Sequence, residues 1–193
     1  KICQQLYEKG FITYMRTNSI QFSRDFIQET FLWIEKTHGK KYISENPEKL
    51  SLDESRENCA HEAIRPTLVT RAIVDAKSFE GSKKYQQVYS LIRNRSIESL
   101  MNDAKGMQIK LCINAPHSQH YMKTAKQYTF LGWRKQQNKY EDDALFQYCS
   151  LLKEQTYNYS QIYTKPFCEN TQNHYHEAKL IQKLEALGIG RPS

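Results

Sequence analysis

Apolar side chains recur along this chain first at helical and later at alternating spacing, and the change of period predicts helical, then β-rich, then helical segments. Ile2 and Leu6 share a helical face ahead of Gly10, which stands where a helix end takes a left-handed residue, so a helix is already in progress at Lys1. Phe11 to Thr17 is rich in β-branched and aromatic types and predicts extended backbone through Ile12-Thr13-Tyr14-Met15-Arg16. Ser23 is placed to cap a second helix whose face carries Phe26, Ile27, Phe31 and Ile34, ending near His38-Gly39. Residues 40–71 are polar and broken by Pro47 and Pro66, which predicts a long ordered loop. A third helix is predicted from Ser82 to about Asn102, burying Tyr85, Val88, Tyr89, Ile92, Leu100 and Met101. Alternation over Met107–Ile113, and short apolar runs at Tyr128–Leu131 and Leu145–Leu152, predict β-strands. A last helix over His176–Leu187 carries Leu180, Ile181, Leu184 and Leu187 and stops at Gly188 and Gly190.

Composition narrows the chemistry. No stretch approaches the roughly 18 uncharged residues of a membrane span. The chain opens on Lys1 without a start Met or a visible leader, which reads as a fragment. Five cysteines, none closer than 19 residues to the next and none in a CxxC pair, argue against a disulfide scaffold or a zinc ribbon. Residues 1–75 hold 11 basic and 11 acidic side chains, whereas the rest hold 17 and 10, so the net charge of +7 lies in the second part. A solvated lysine face explains that excess as well as a polyanion does. Thirteen tyrosines interleaved with the cations favour nucleic acid over a membrane as the polyanion.

Three segments carry residues suited to phosphate chemistry. In Ile12–Ser19, an extended backbone would set Tyr14 and Arg16 on one face. A phenol ionises near pH 10 in water, so a tyrosine nucleophile needs cationic company or a base, and a guanidinium fork suits phosphate. In His61-Glu62-Ala63-Ile64-Arg65-Pro66-Thr67, a group able to carry protons near neutrality lies four residues from an arginine. Gly188-Ile189-Gly190-Arg191-Pro192-Ser193 permits close backbone approach and leaves Arg191 projecting. Taken singly, each also fits a bland reading: a strand tyrosine beside a surface arginine, a solvated helix end, and a plain helix stop.

Together, and in this order, the segments resemble the type IA DNA topoisomerases of the bacterial DNA topoisomerase I kind. Gln5-Leu6-Tyr7-Glu8-Lys9-Gly10-Phe11-Ile12-Thr13-Tyr14-Met15-Arg16-Thr17 is similar to the family's nucleophile motif, and Ala60–Thr67 to its His/Arg motif. Tyr89-Ser90-Leu91-Ile92, Phe130-Leu131-Gly132-Trp133 and Glu177-Ala178 through Ser193 resemble the next helix, a hinge strand and the start of the DNA-gripping helical domain. The resemblance implies a mixed α and β, multidomain fragment of the toroidal type IA fold. Its parts would be a helical nucleophile-bearing domain over 1–104, a β-rich hinge segment over 105–165 and the truncated start of a helical clamp domain over 166–193.

By the same resemblance, Tyr14 would attack a single-strand phosphodiester, giving a 5′-phosphotyrosine and a free 3′-hydroxyl. Arg16 would steady the phosphate, His61 would assist proton movement, and Arg65 and Arg191 would hold DNA or neighbouring side chains. The enzyme would be an ATP-independent isomerase that relaxes negative supercoils by passing and resealing strands. Its partner would be single-stranded segments of negatively supercoiled duplex DNA, with no membrane partner, and a bacterial enzyme of this kind would be cytoplasmic and nucleoid-associated. Mg²⁺ is implied, with its ligands in a Toprim domain absent from this chain; no metal ligand is assigned here, and Glu141-Asp142-Asp143 reads as a solvated turn. The chain alone would then be inactive.

Several positions depart from the pattern. Asn18 replaces the usual Asp, Asn58-Cys59 replaces Gln-Glu, and the Lys165-Pro166-Phe167 to Lys179 stretch is altered and about five residues longer. These favour a second reading, a non-catalytic DNA-binding remnant of a split or decaying gene, and an RNA-acting relative stays open as a third. If the basic second part contacts phosphates, affinity for a single-stranded oligonucleotide should fall steeply as salt rises. A flat salt response would return those lysines to solvation.

Overall fold

The computed structural model describes residues 1–47, 51, 61–74, 79, 82–115, 117–138, 143–156, 158, 160, 161, 163, 166 and 174–189. The chain divides into two compact units, Lys1–Leu152 and Lys153–Ser193. In the first, α1 (Ile2–Glu8), α2 (Arg24–His38), a 3-10 turn (Lys40–Tyr42) and α3 (Ser82–Ser99) precede a hairpin of β1 (Lys105–Ala115) and β2 (Gln119–Phe130). Two short helices follow, α4 (Arg134–Gln137) and α5 (Leu145–Leu151).

Local chemistry accounts for the helix ends. Past α1, Phe11 N–H reaches Leu6 carbonyl and Gly10 N–H reaches Tyr7 carbonyl, with Gly10 at φ 71°. That pair of bonds needs a left-handed residue at its centre, and glycine takes that conformation without a Cβ clash. The turn sends the chain back so that Phe11 and Ile12 join Leu6, Val74, Phe79 and Tyr89 in one buried cluster. α2 buries Phe26, Ile27 and Ile34 as predicted, plus Thr30, while Phe31 packs half-buried against the same cluster. α3 ends at Ser99, three residues short of the expected Asn102. Tyr89 is fully buried as expected, and Ile97, which the pattern did not single out, joins Leu100 and Met101 in the α2 cluster.

Two sequence expectations need correction. Leu145–Leu151 is helix, not strand. A short apolar run has no decisive period, and Phe146 and Cys149, three apart, bury together against Ala125 with Ile109 and Leu111 packed beside them. Asp143 starts that helix by accepting the Leu145 N–H on its carboxylate. The strand expected over Ile12–Arg16 is a single antiparallel bridge between Ile12 and Pro66, after which the backbone bends at Met15 and Arg16. The predicted long loop over 40–71 does lack regular structure in its described part beyond the 3-10 turn and isolated bridges. The stretches Glu48–Leu50, Leu52–Ala60, Glu141-Asp142 and Gly190–Ser193 lie outside the described residues.

The hairpin is fastened at its base. Asn102 N–H donates to Tyr42 carbonyl, its side-chain amide donates to Lys41 carbonyl, and its own carbonyl accepts Trp133 N–H. Phe130 lies over Tyr42 with centroids 4.8 Å apart. A chain of His38, Gln136 and Asn94 side-chain bonds ties α2, α4 and α3. In the second unit, α6 (Glu177–Ala186) forms as predicted, capped by His176 Nδ1 accepting from Lys179 N–H. It ends as α1 does, with Ile189 N–H on Leu184 carbonyl and Gly188 N–H on Glu185 carbonyl.

Gly132 sits at φ 49°, and a Cβ there would overlap the Asn102 carbonyl oxygen and the Asp103 backbone. Both faults are backbone faults, so no side-chain rotation relieves them. Gly132→Ala should therefore destabilise the first unit by about 3 kcal/mol or more. Thermal denaturation reads this as a fall in Tm of roughly 6–12 °C; an unchanged Tm would mean the strand crossing opens freely.

Candidate active site

The site is built on the place where the Ile12–Pro66 bridge stops. Thr13 N–H donates to Arg65 carbonyl (2.9 Å) and Thr67 N–H to Phe11 carbonyl (3.0 Å), the two bonds that bracket an antiparallel bridge. Pro66 faces Ile12 between them, where its missing N–H costs nothing. A continuing ladder would next bring Arg65 N–H to the carbonyl of Thr13. Instead Arg65 N–H donates to the Thr13 hydroxyl (2.9 Å), which in turn donates to Ala63 carbonyl (2.8 Å). A threonine side chain thus takes over a ladder bond, pairing ends, and the chain is free to turn.

Where the pairing stops, Tyr14 and His61 meet. Their ring centroids are 5.1 Å apart at 45°, with Tyr14 half-buried and His61 exposed. Tyr7 from α1 meets the Tyr14 ring edge-on at 5.2 Å and 70°. Among the described residues no hydrogen bond engages the Tyr14 hydroxyl, so its oxygen is available to an outside partner.

The His61 segment is held from three directions. Ala63 N–H donates to Gln21 carbonyl, and Ser23 N–H, at the start of α2, donates to the Glu62 carboxylate. That places a negative charge at the positive end of a helix. Arg65 grips both oxygens of the same carboxylate, Nε to Oε2 at 2.8 Å and Nη2 to Oε1 at 2.7 Å. It also donates to Pro66 carbonyl and Ser23 Oγ, and its guanidinium lies 4.4 Å from the centre of the Phe26 ring. On the far side α3 secures the onward chain, Arg93 Nε donating to Val69 carbonyl and Tyr89 Oη to Arg71 carbonyl. Burial lowers the pKa of Arg93 and raises that of Tyr89, the nearby Arg93 and Arg71 charges opposing the latter.

The candidates from sequence are thus distributed unequally. Tyr14, His61 and Arg65 come to one site, but Arg65 spends most of its donors on Glu62, Ser23 and Pro66. Arg16 is exposed, with no hydrogen bond or ion pair among the described residues. The bends at Met15 and Arg16 remove the pleat that would set it on one face with Tyr14. Arg191 lies outside the described residues. The sequence assigned no site role to Thr13, Glu62 or Tyr7, and to Ser23 only a helix cap; the Glu62–Arg65 spacing of three offered a signal. Among the described residues no three acidic, imidazole or thiol groups come together. No described helix is long and apolar enough to cross a membrane.

A family model described as DNA topoisomerase matches residues 1–193. The chain belongs to the type IA DNA topoisomerase family. It is similar to DNA topoisomerase 1 of Mycobacterium leprae, 33% identical over 203 residues that cover 100% of this chain and 21% of the relative. DNA topoisomerase 1 of Buchnera aphidicola is 33% identical over 196 residues, with 100% and 22% covered. The full-length topoisomerase I structure from Thermotoga maritima superposes with a TM-score of 0.67 at 25% identity, covering 99% of this chain and 31% of that one. The chain therefore spans about a fifth of the length of these curated relatives.

The Thr13 hydroxyl makes two bonds that a methyl cannot. Thr13→Val keeps the shape, removes both and leaves Arg65 N–H and Ala63 carbonyl without their partner. The expected cost is about 2 kcal/mol, measured as a shift in the urea midpoint. Stability equal to the parent chain would show that the hydroxyl is dispensable to the junction.

Proposed function

We propose that this chain carries the nucleophile-bearing part of a type IA DNA topoisomerase reaction, with Tyr14 as the nucleophile. The supporting observation is the contact of the Tyr14 ring with His61, made by two segments locked through Thr13, with the phenol oxygen unengaged among the described residues. In this reading the Tyr14 oxygen attacks phosphorus, the bond to the 3′ oxygen breaks, and the phosphate stays on the 5′ end as a phosphotyrosine ester. The phenol proton leaves toward solvent or His61, and the departing 3′ oxygen ends as a hydroxyl. Reversal reseals the strand. One phosphodiester is exchanged for another ester of similar energy, so strand passage between the two steps would relax negative supercoils without ATP.

Arg16, exposed and uncommitted among the described residues, is the cation available to the phosphate. Arg65 contributes chiefly by holding Glu62 and the His61 segment, with at most one guanidinium N–H left for DNA. Arg191 is assigned to DNA on the motif alone. Mg²⁺ and a carboxylate domain to hold it enter this reading on the family resemblance alone. The substrate in this reading is single-stranded DNA within negatively supercoiled duplex.

The test supplies an N-terminal domain of a related topoisomerase in trans with a single-stranded oligonucleotide and Mg²⁺, and looks for DNA covalently trapped on the chain. Tyr14→Phe deletes only the attacking oxygen, so it should abolish the adduct while leaving oligonucleotide affinity within about twofold. A large loss of binding would count against Tyr14 as nucleophile. Binding without any adduct from the parent chain would favour the DNA-binding remnant, the reading that Asn18 in place of Asp supports. An adduct formed with RNA instead of DNA would redirect the substrate.

A further inference from the structure

We infer that Tyr7 is a positioning residue for Tyr14. The inference rests on the reading of Tyr14 as nucleophile for its purpose, though not for its geometry. Tyr7 follows Leu6, which is fully buried and anchors α1 in the core, so the direction of the Tyr7 side chain is set by a fixed helix. Tyr7 itself is 42% exposed, and its ring does not join the buried cluster that Leu6 anchors. Its carbonyl accepts the Gly10 N–H in the turn that reverses the chain. That reversal carries Tyr14 back past the end of α1, where the Tyr7 ring meets it edge-on with centroids 5.2 Å apart.

Tyr14 is then touched by two rings from different parts of the chain, Tyr7 from the helix before the turn and His61 from the segment held by Thr13. A half-exposed aromatic side chain with a single neighbour would have several rotamers open to it. A second, roughly perpendicular contact removes some of them, because edge-to-face rings attract in one relative orientation and lose that attraction when either turns. The contact uses the Tyr7 ring and not its hydroxyl, for which no hydrogen bond is found among the described residues. The ring alone should therefore suffice, which separates positioning from any polar or acid–base role for Tyr7.

The test compares the full chain with Tyr7→Phe and Tyr7→Leu, the leucine keeping apolar bulk but no ring. Nuclear Overhauser contacts between Tyr14 and His61 ring protons report whether Tyr14 is held. They should persist in Tyr7→Phe and weaken in Tyr7→Leu, with Tm little changed in both because Tyr7 contributes little to the core. In the complemented adduct assay, the leucine variant should trap DNA about 2- to 12-fold more slowly at unchanged oligonucleotide affinity, and the phenylalanine variant should recover the parent rate. Contacts and rate unaltered in Tyr7→Leu would overturn the proposal, as would their loss in Tyr7→Phe or a fall in Tm parallel to their loss. Should no variant, parent included, form an adduct, the nucleophile assignment fails while the ring contacts still decide whether Tyr7 positions Tyr14.

Discussion

One hydroxyl, that of Thr13, decides the geometry of the site. The segment ending in Tyr14 and the segment beginning at His61 approach as antiparallel strands, and a regular ladder would continue past Tyr14. By accepting Arg65 N–H and donating to Ala63 carbonyl, the threonine ends the ladder without leaving either buried group unpaired. An unpaired backbone group in such a place costs about 1–3 kcal/mol, so the substitution of side chain for main chain is what makes the break tolerable. Tyr14 is released from a pleated strand and remains fastened one residue away.

Around that point the molecule is stiff on one side and open on the other. The Glu62 carboxylate is shared between the Ser23 N–H of α2 and the Arg65 fork, and Arg65 is itself laid on Phe26 in the core. Such a charge pair is worth more as a spacer of fixed geometry than as a source of stability, since desolvation offsets much of its attraction. Beyond it lie an exposed imidazole, an exposed guanidinium at Arg16 and a phenol whose oxygen is uncommitted among the described residues. A well-braced scaffold with these groups on its rim leaves them open to a ligand that arrives from outside.

The hairpin shows the same division of labour at larger scale. Its two strands leave the helical part through one junction, where Asn102 bonds to Tyr42, Lys41 and Trp133 and Gly132 passes against the Asn102 and Asp103 backbone. Among the described residues, α5 packs on the outer strands over Ala125, Ile109 and Leu111. Lys105, Lys110, Lys123 and Lys126 on the two strands are exposed, and the basic excess of the second part resides partly on them.

The periodic helices, the glycine stops at Gly10 and Gly188 and the strand over Met107–Ile113 were legible in the amino-acid order, because each depends on near neighbours, whereas the strand expected only over Tyr128–Leu131 runs over Gln119–Phe130 and its pairing with β1 was not foreseen. The motif strings around Tyr14 and His61 likewise announced the family. The helix at Leu145–Leu151 was not legible, since seven residues carry too little periodicity and burial of Phe146 and Cys149 against the hairpin chose the helix. Nor was the end of the strand at Thr13, the engagement of Arg65 by Glu62, or the Tyr7 contact with Tyr14. The Thr13 bonds join residues 50 or more apart, the Arg65 engagement turns on which way a carboxylate points, and the Tyr7 contact depends on the chain reversal at Gly10, so only the folded chain brings these groups together.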